Sequence, residues 1–232
     1  MKTTQQLAIA IFTATVIISC SQNKSNSEHA ADAIHSEGTS VLINSSEDAL
    51  AELKNGNLRF LKGEMINTDY KKQIEHTRDH QYPHSIILSC IDSRVPPEIL
   101  FDQGIGNIFV ARVAGNIEDP NILGSLEFAT KVKGSKLIVV MGHNKCGAIK
   151  GAIENADLGH LTQLVQQISP SIKGDTTDIE NMHDQTSKNN IKFTIADILK
   201  SSTEINALVN ENKLKIIGAY YDVTNGEVTF LD

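Results

Sequence analysis

Apolar positions in this chain gather into five short runs set between longer stretches of mixed pattern. Residues 86–88, 108–111 and 137–141 are continuous apolar runs of strand length, bounded by polar, Gly or Pro positions. That pattern predicts strands buried on both faces, as in a parallel sheet. Residues 214–221 and 228–231 form two more, joined through Thr224-Asn225-Gly226-Glu227, whose Asn-Gly pair marks a hairpin turn. Helical patterns fill the intervals. Ser45 and Ser46 followed by Glu47-Asp48 give a helix start, and Leu50, Leu53, Leu58 and Leu61 supply an approximate stripe, with Asn55-Gly56-Asn57 as an expected interruption. A more polar helix is predicted over 69–80. Pro97-Glu98 opens a short turn toward Phe101. Further helices are predicted over 121–133, 146–154, 161–168, 178–199 and 202–212, the first with a broad apolar face through Ile122, Leu126, Ala129 and Val132. The result is an α/β fold: a mostly parallel sheet of about four strands with an antiparallel C-terminal edge strand, flanked by helices. The two N-terminal helices pack either on their own sheet or across a partner subunit.

The start of the chain has a different character. Met1-Lys2 is a short positive segment, and residues 7–18 are apolar but too few to span a bilayer. They end in Ser19-Cys20. A small residue before Cys at that point resembles the lipobox of bacterial lipoproteins, in which the Cys is lipidated and becomes the first residue; the alternative is an ordinary signal peptide. Both imply export, and the lipobox implies a periplasmic protein anchored to a bacterial membrane through Cys20. Residues 20–44 are rich in Ser, Asn, Ala, Glu and His, a composition that cannot bury enough apolar surface to offset its ordering entropy. They read as a flexible tether, with the folded domain over 45–232. The 232 residues carry a net charge of −7, which becomes −8 once Lys2 leaves with residues 1–19. No basic run occurs, which excludes nucleic acid as a partner.

Chemistry concentrates at the ends of two predicted strands. Cys90-Ile91-Asp92-Ser93-Arg94 follows the first run, and Gly142-His143-Asn144-Lys145-Cys146-Gly147 follows the third. Open α/β sheets hold their sites at the carboxyl ends of strands. If these two are neighbours, Cys90, His143 and Cys146 converge as a Cys₂His set, which suits zinc and leaves a fourth position. With Cys20 assigned to lipid, Cys90 and Cys146 are the remaining cysteines, and one disulfide between them is the alternative. Asp92 and His143 beside them serve a metal and do nothing for a disulfide.

The chain resembles the β-class carbonic anhydrases. The matching residues are Cys90-Ile91-Asp92-Ser93-Arg94-Val95, Gly115-Asn116, Gly124-Ser125-Leu126-Glu127, Gly142-His143 with Cys146-Gly147-Ala148, and Gly218-Ala219-Tyr220-Tyr221-Asp222. The resemblance implies zinc on Cys90, His143 and Cys146, and reversible hydration of carbon dioxide to bicarbonate and a proton. It makes Asp92 the acceptor of a hydrogen bond from water on the zinc, with Arg94 stabilising its carboxylate. In the family's inactive form the same aspartate occupies the fourth metal position, so Asp92 is also an alternative ligand. Gln81, Phe109, Phe128 and the Gly147 amide correspond to the substrate pocket, which the family completes across a homodimer or dimer-based oligomer. Phe128 stands where plant-type members have Tyr.

Departures accompany the match. Asn107 stands where many members are acidic, and Val113 replaces a common Asn. The chain has no Trp, so the non-catalytic bicarbonate site that some members build around one is not expected. No proton-relay residue stands out; His84, His160, His183 and the histidines of the tether are candidates that read as solvent-facing. Two rival activities keep the same ligands. One is hydrolysis of carbonyl sulfide or carbon disulfide on this scaffold, and the other a non-catalytic, zinc-stabilised lipoprotein, against which the presence of Asp92 and Arg94 argues.

Overall fold

A computed structural model describes residues 43–173 and 178–231. The expected signal segment, Cys20 and nearly all of the expected tether lie outside the described residues. Ile43 already packs against the core.

The five apolar runs are the five strands: β1 (Ser85–Ser89), β2 (Ile108–Arg112), β3 (Leu137–His143), β4 (Lys215–Tyr221) and β5 (Val228–Leu231). They form one sheet in the order β2-β1-β3-β4-β5. β1 to β4 pair in parallel and β5 joins β4 antiparallel, which is the predicted sheet. β2 and β3 flank β1 on opposite sides, so the connections diverge there and the crevice at the carboxyl ends of β1 and β3 is the switch point where open α/β sheets place ligands.

Every residue of β1 and β3 is buried, because helices cover both faces. Ile87, Val139 and Met141 point to the layer that holds α1 (Ser46–Lys62) and α3 (Pro97–Leu100); α2 (Tyr70–Thr77) lies between them in the chain. Ile86, Leu88, Ile138 and Val140, one residue out of phase, point to the opposite layer. That layer holds α4 (Pro120–Glu127), α7 (Ile179–Ser201) and α8 (Thr203–Asn210). A smaller cluster packs α5 (Gly147–Ile153) and α6 (Gly159–Ile168) around Cys90 and Cys146. Among the described residues no helix is long and apolar enough to cross a membrane.

Two helices differ from their predicted form. The interruption expected at Asn55-Gly56-Asn57 does not occur: α1 runs unbroken from a capping box of Ser45 and Asp48 to a left-handed Gly63. Gly56 and Asn57 are instead its contact face. A Cβ on Gly56 would lie 1.7 Å from the Phe101 carbonyl oxygen. Asn57 donates to the carbonyls of Leu100 and Gly226, at 3.0 and 3.1 Å, and accepts from the Val228 amide at 3.0 Å. That rotation buries Ala49 and Leu53 and leaves Leu58 and Leu61 of the expected stripe 53% and 42% exposed. The single helix predicted over 121–133 is α4 followed by a π-helical turn, Phe128–Val132.

α7 buries Thr186, Ser187, Asn190 and Thr194 among its apolar residues. Two of these polar groups face backbone rather than solvent: Ser187 donates to the His143 carbonyl at 3.0 Å and Asn190 to the Gly115 carbonyl at 2.7 Å. Gly142 and Gly218 bring the helix this close, since a Cβ on either would meet Ile191 within 3 Å.

Candidate metal centre

β1 ends at Ser89, opposite Met141 of β3, so Cys90 and His143 emerge side by side. After His143 the chain reverses through Lys145, which adopts a left-handed φ of 53°. Cys146 then returns as the N-cap residue of α5. The Cys90 and Cys146 sulfurs are 3.9 Å apart, and the two sulfurs and a ring nitrogen of His143 all lie within 4.8 Å of one another, with all three residues buried. The three expected ligands are thus brought together from two neighbouring strand ends.

His143 Nδ1 lies 2.7 Å from the Asn144 carbonyl oxygen. A carbonyl only accepts, so Nδ1 carries the proton and Nε2 is left as a lone pair. Nε2 is buried and has no hydrogen-bond partner among the described residues. An unpartnered imidazole nitrogen between two buried thiols is costly as it stands and is satisfied by a thiophilic cation, so the donor set fits zinc. The pair of thiols titrates unequally. The hydrogen bond with Cys146 holds Cys90 down at about 4 against burial, helped by the Gly115 amide 3.4 Å from its sulfur. The same bond, burial and repulsion by Cys90 push Cys146 up, against the favourable amides of Ala148 and Ile149.

Asp92 is held from several directions. Arg94 donates its backbone amide and Nε to Oδ1, at 2.9 and 3.0 Å, and Nη2 to Oδ2 at 2.8 Å. These hydrogen bonds outweigh partial burial and keep the carboxyl at about 2, so it is ionised at neutral pH. Oδ2 stands 4.0 Å from His143 Nε2. Of the two arrangements expected for Asp92, the structure has the one turned onto Arg94. Arg94 also reaches the Lys145 carbonyl at 3.3 Å, tying together the two segments that carry the cysteines.

The expected pocket residues divide. Gly147 is exposed at the first turn of α5, next to Cys146. Phe109 and Phe128 meet edge to face, 6.2 Å between centroids. Phe109 lies opposite Ile86, four residues before Cys90, and Gln81 is exposed ahead of β1. Within one chain these three are not brought to the Cys90 set. The histidines need one correction: His84 is buried, with Nδ1 2.7 Å from Ser85 Oγ and Nε2 3.1 Å from Gln103 Oε1. Its neighbours Ser85 and Gln103 satisfy the ring inside the fold, which the sequence around it does not signal.

Two supporting residues escaped the sequence reading. Asn144 donates to Asp222 Oδ1 at 2.7 Å and accepts from the Val223 amide at 2.8 Å, fixing the peptide whose carbonyl holds His143. Its place between His143 and Lys145 was the signal available. Arg112 donates to the carbonyls of Cys90 and Asp92. Its position just before Val113-Ala114-Gly115-Asn116 was the corresponding clue.

A carbonic anhydrase family profile matches residues 85–228. Carbonic anhydrase 2 of Mycobacterium tuberculosis is 34% identical over 188 residues, covering 78% of this chain and 90% of its own length. The carbonic anhydrase of Mycolicibacterium smegmatis is 34% identical over 184 residues, covering 76% and 88%. Among solved structures, one of two tetrameric β-carbonic anhydrases from Sordaria macrospora is similar in fold, with a TM-score of 0.62 at 23% identity over 80% of this chain and 95% of that one. A Coccomyxa β-carbonic anhydrase in complex with acetazolamide gives 0.64 at 22% identity, over 78% and 86%.

Proposed function

This chain belongs to the β-class carbonic anhydrase family, and from that premise we infer that it converts carbon dioxide and water to bicarbonate and a proton, reversibly, at the Cys90–His143–Cys146 centre. The observation that carries the reading is the buried, unpartnered Nε2 of His143 between two thiols, beside an aspartate already committed to an arginine. Cys90, His143 and Cys146 would hold the zinc. When bound, zinc supplies a Lewis acid that lowers the pKa of water toward neutrality.

The chain's own residues set the rest. Two thiolates offset the formal charge of the dication, so the site needs a fixed anionic acceptor to favour loss of a proton from water. Asp92 is that acceptor: it is ionised, and Arg94 prevents it from turning elsewhere. The His143 ring is fixed in tautomer by the Asn144 carbonyl and offers one nitrogen. The Gly147 amide, free at the start of α5, is placed to donate to a substrate oxygen. The oxygen of water bonds to the carbon of carbon dioxide as one carbon–oxygen π bond opens onto its oxygen, giving bicarbonate, and the proton that water loses passes to buffer. The test is stopped-flow hydration of carbon dioxide with zinc quantified in wild type, Cys90→Ser, His143→Ala and Cys146→Ser. Wild type should be active with about one zinc per chain, and each variant should lose both. An active, metal-free form with Cys90 and Cys146 oxidised to a disulfide overturns the reading.

The pocket is assigned to a homodimer or a dimer-based oligomer. In support, α2 buries none of its residues and presents Tyr70 and Ile74, and Phe128 is exposed. Gln81, Phe109 and Phe128 lie apart from their own chain's metal ligands, so they are assigned to the partner's pocket. The cell address is likewise a proposal: a short apolar segment ending in Ser19-Cys20 supports export and a lipid anchor on Cys20, with residues 20–44 as the tether.

A further inference from the structure

We propose that Arg112 is a positioning residue for this metal centre, acting on the backbone that carries Cys90 and Asp92; the inference rests on the carbonic anhydrase reading above. Arg112 ends β2, and its ladder partner is Ser89, the last residue of β1. Past that point the Val113 amide donates to the Ser89 carbonyl at 3.0 Å, and the regular β1–β2 pairing stops. The next three residues of that segment are Cys90, Ile91 and Asp92, and the side chain of Arg112 takes over where the ladder ends. Its Nε donates to the Cys90 carbonyl at 2.9 Å and its Nη2 to the Asp92 carbonyl at 2.6 Å.

One planar guanidinium therefore bridges the peptide groups of a metal ligand and of the catalytic aspartate, across an intervening Ile91 that is itself exposed. Fixing those two carbonyls fixes the directions in which the Cys90 and Asp92 side chains leave the chain. The division of labour with Arg94 is clean. Arg94 holds the Asp92 carboxylate, and Arg112 holds the peptides from which that carboxylate and the Cys90 sulfur project. The Asp92 carbonyl also accepts from the Val95 amide at 3.0 Å, so the turn after Asp92 closes on the oxygen that Arg112 engages. A forked donor is required, because two carbonyls two residues apart must be met from one side. A lysine ammonium reaches one of them without the fixed geometry of both.

The test compares full-length Arg112→Ala, Arg112→Gln and Arg112→Lys with wild type in three measurements. These are the rate of zinc release to a chromogenic chelator, kcat and KM for carbon dioxide hydration, and the unfolding midpoint of the metal-free protein. Residues that orient metal ligands typically contribute about 10- to 100-fold in affinity or activity. Ala and Gln should release zinc faster by that order and lose kcat with KM little changed, Lys should recover part of both, and the metal-free midpoints should stay together. Zinc release at the wild-type rate in Arg112→Ala overturns the proposal, as does a fallen metal-free midpoint with Lys no better than Ala. If Ala does not fold, Gln and Lys carry the same comparison. A zinc-loaded wild type without hydration activity would overturn the enzyme reading instead, and the zinc-release comparison would still decide the role of Arg112.

Discussion

His143 donates its Nδ1 proton to the carbonyl of Asn144, the next residue in the chain, across 2.7 Å. A contact so local is usually weak in orientation, because the accepting peptide can rotate. Here it cannot: the Asn144 side chain is pinned to Asp222 and to the Val223 amide, in the turn that joins β4 to β5. The C-terminal hairpin thus determines which imidazole nitrogen faces the two thiols.

Asn144→Ala removes both pins while leaving the three ligands in place. Zinc affinity should fall by about tenfold or more, the usual scale for a group that orients a metal ligand. Competition with a chelator of known affinity measures this directly. Unchanged affinity would show that the hairpin does not support His143.

Gly56→Ala tests the packing of α1. Alanine is the better helix former, so propensity alone favours the substitution by up to about 1 kcal/mol. The new methyl, however, would stand 1.7 Å from the Phe101 carbonyl oxygen, against backbone that has little room to retreat. Overpacking should win, with a net loss of about 1–3 kcal/mol or more in denaturant unfolding. A gain in stability would mean that α1 is free to move off α3.

The sheet was legible because its strands are largely apolar runs of the right length, and the ligand set because Cys90 and His143 close two of them, with Cys146 three residues further on. The contact face of α1 was not legible. Asn55-Gly56-Asn57 breaks the apolar pattern for the same reason that it makes the closest contact, since only Gly fits against Phe101 and only an amide satisfies Leu100, Gly226 and Val228 together. α7 hides its orientation likewise, by burying Ser187 and Asn190 toward backbone beside the site. The bridge from Arg112 to Cys90 and Asp92 depends on the β1–β2 pairing, so the neighbouring Val113-Ala114-Gly115-Asn116 could mark Arg112 as notable without naming its partners.

His84 gives a pH dependence separate from the metal. Burial holds its pKa below the ordinary value, partly opposed by the hydrogen bond to Gln103 and the charge of Glu52. The folded chain therefore keeps His84 neutral while the unfolded chain takes up a proton below about pH 6.5. The unfolded state binds more protons there, so stability is complete above that pH and declines as pH falls below it. Denaturant midpoints at pH 7.5 and 5.5 should show the decline, and His84→Gln should flatten it. An equal slope in both proteins would assign the effect elsewhere.

Lipidation of Cys20 should be visible as fractionation with membranes and as a diacylglyceryl mass on the N-terminal peptide. Cys20→Ser should accumulate as uncleaved precursor. If wild type and Cys20→Ser are released equally into the soluble fraction, the segment is an ordinary export signal and the protein has no lipid anchor.

The sharpest prediction concerns Asp92 and Arg94, which follow the ligand Cys90 by two and four residues. Both carboxylate oxygens accept from Arg94, and one lies 4.0 Å from the unpartnered His143 nitrogen. Asp92 thus stands beside the donor set, and its hydrogen bonds to Arg94 hold the carboxylate. Arg94→Ala should keep its zinc, since none of the three ligands is touched, but release Asp92 to compete for the fourth position. The variant should then be weakly active near neutrality and recover as pH rises, because higher pH favours deprotonated water over the competing carboxylate. Asp92→Asn should behave differently. An amide is a weaker acceptor and carries no charge, so turnover should fall by about 10²-fold, the scale for losing one preorganised electrostatic partner. No blocking carboxylate remains, so raising the pH should restore less of the activity than in Arg94→Ala. Steady-state hydration against pH, with zinc measured for each protein, separates the two roles. Near wild-type turnover of zinc-replete Asp92→Asn at neutral pH would remove Asp92 from the mechanism, and a pH profile of Arg94→Ala matching wild type would remove Arg94.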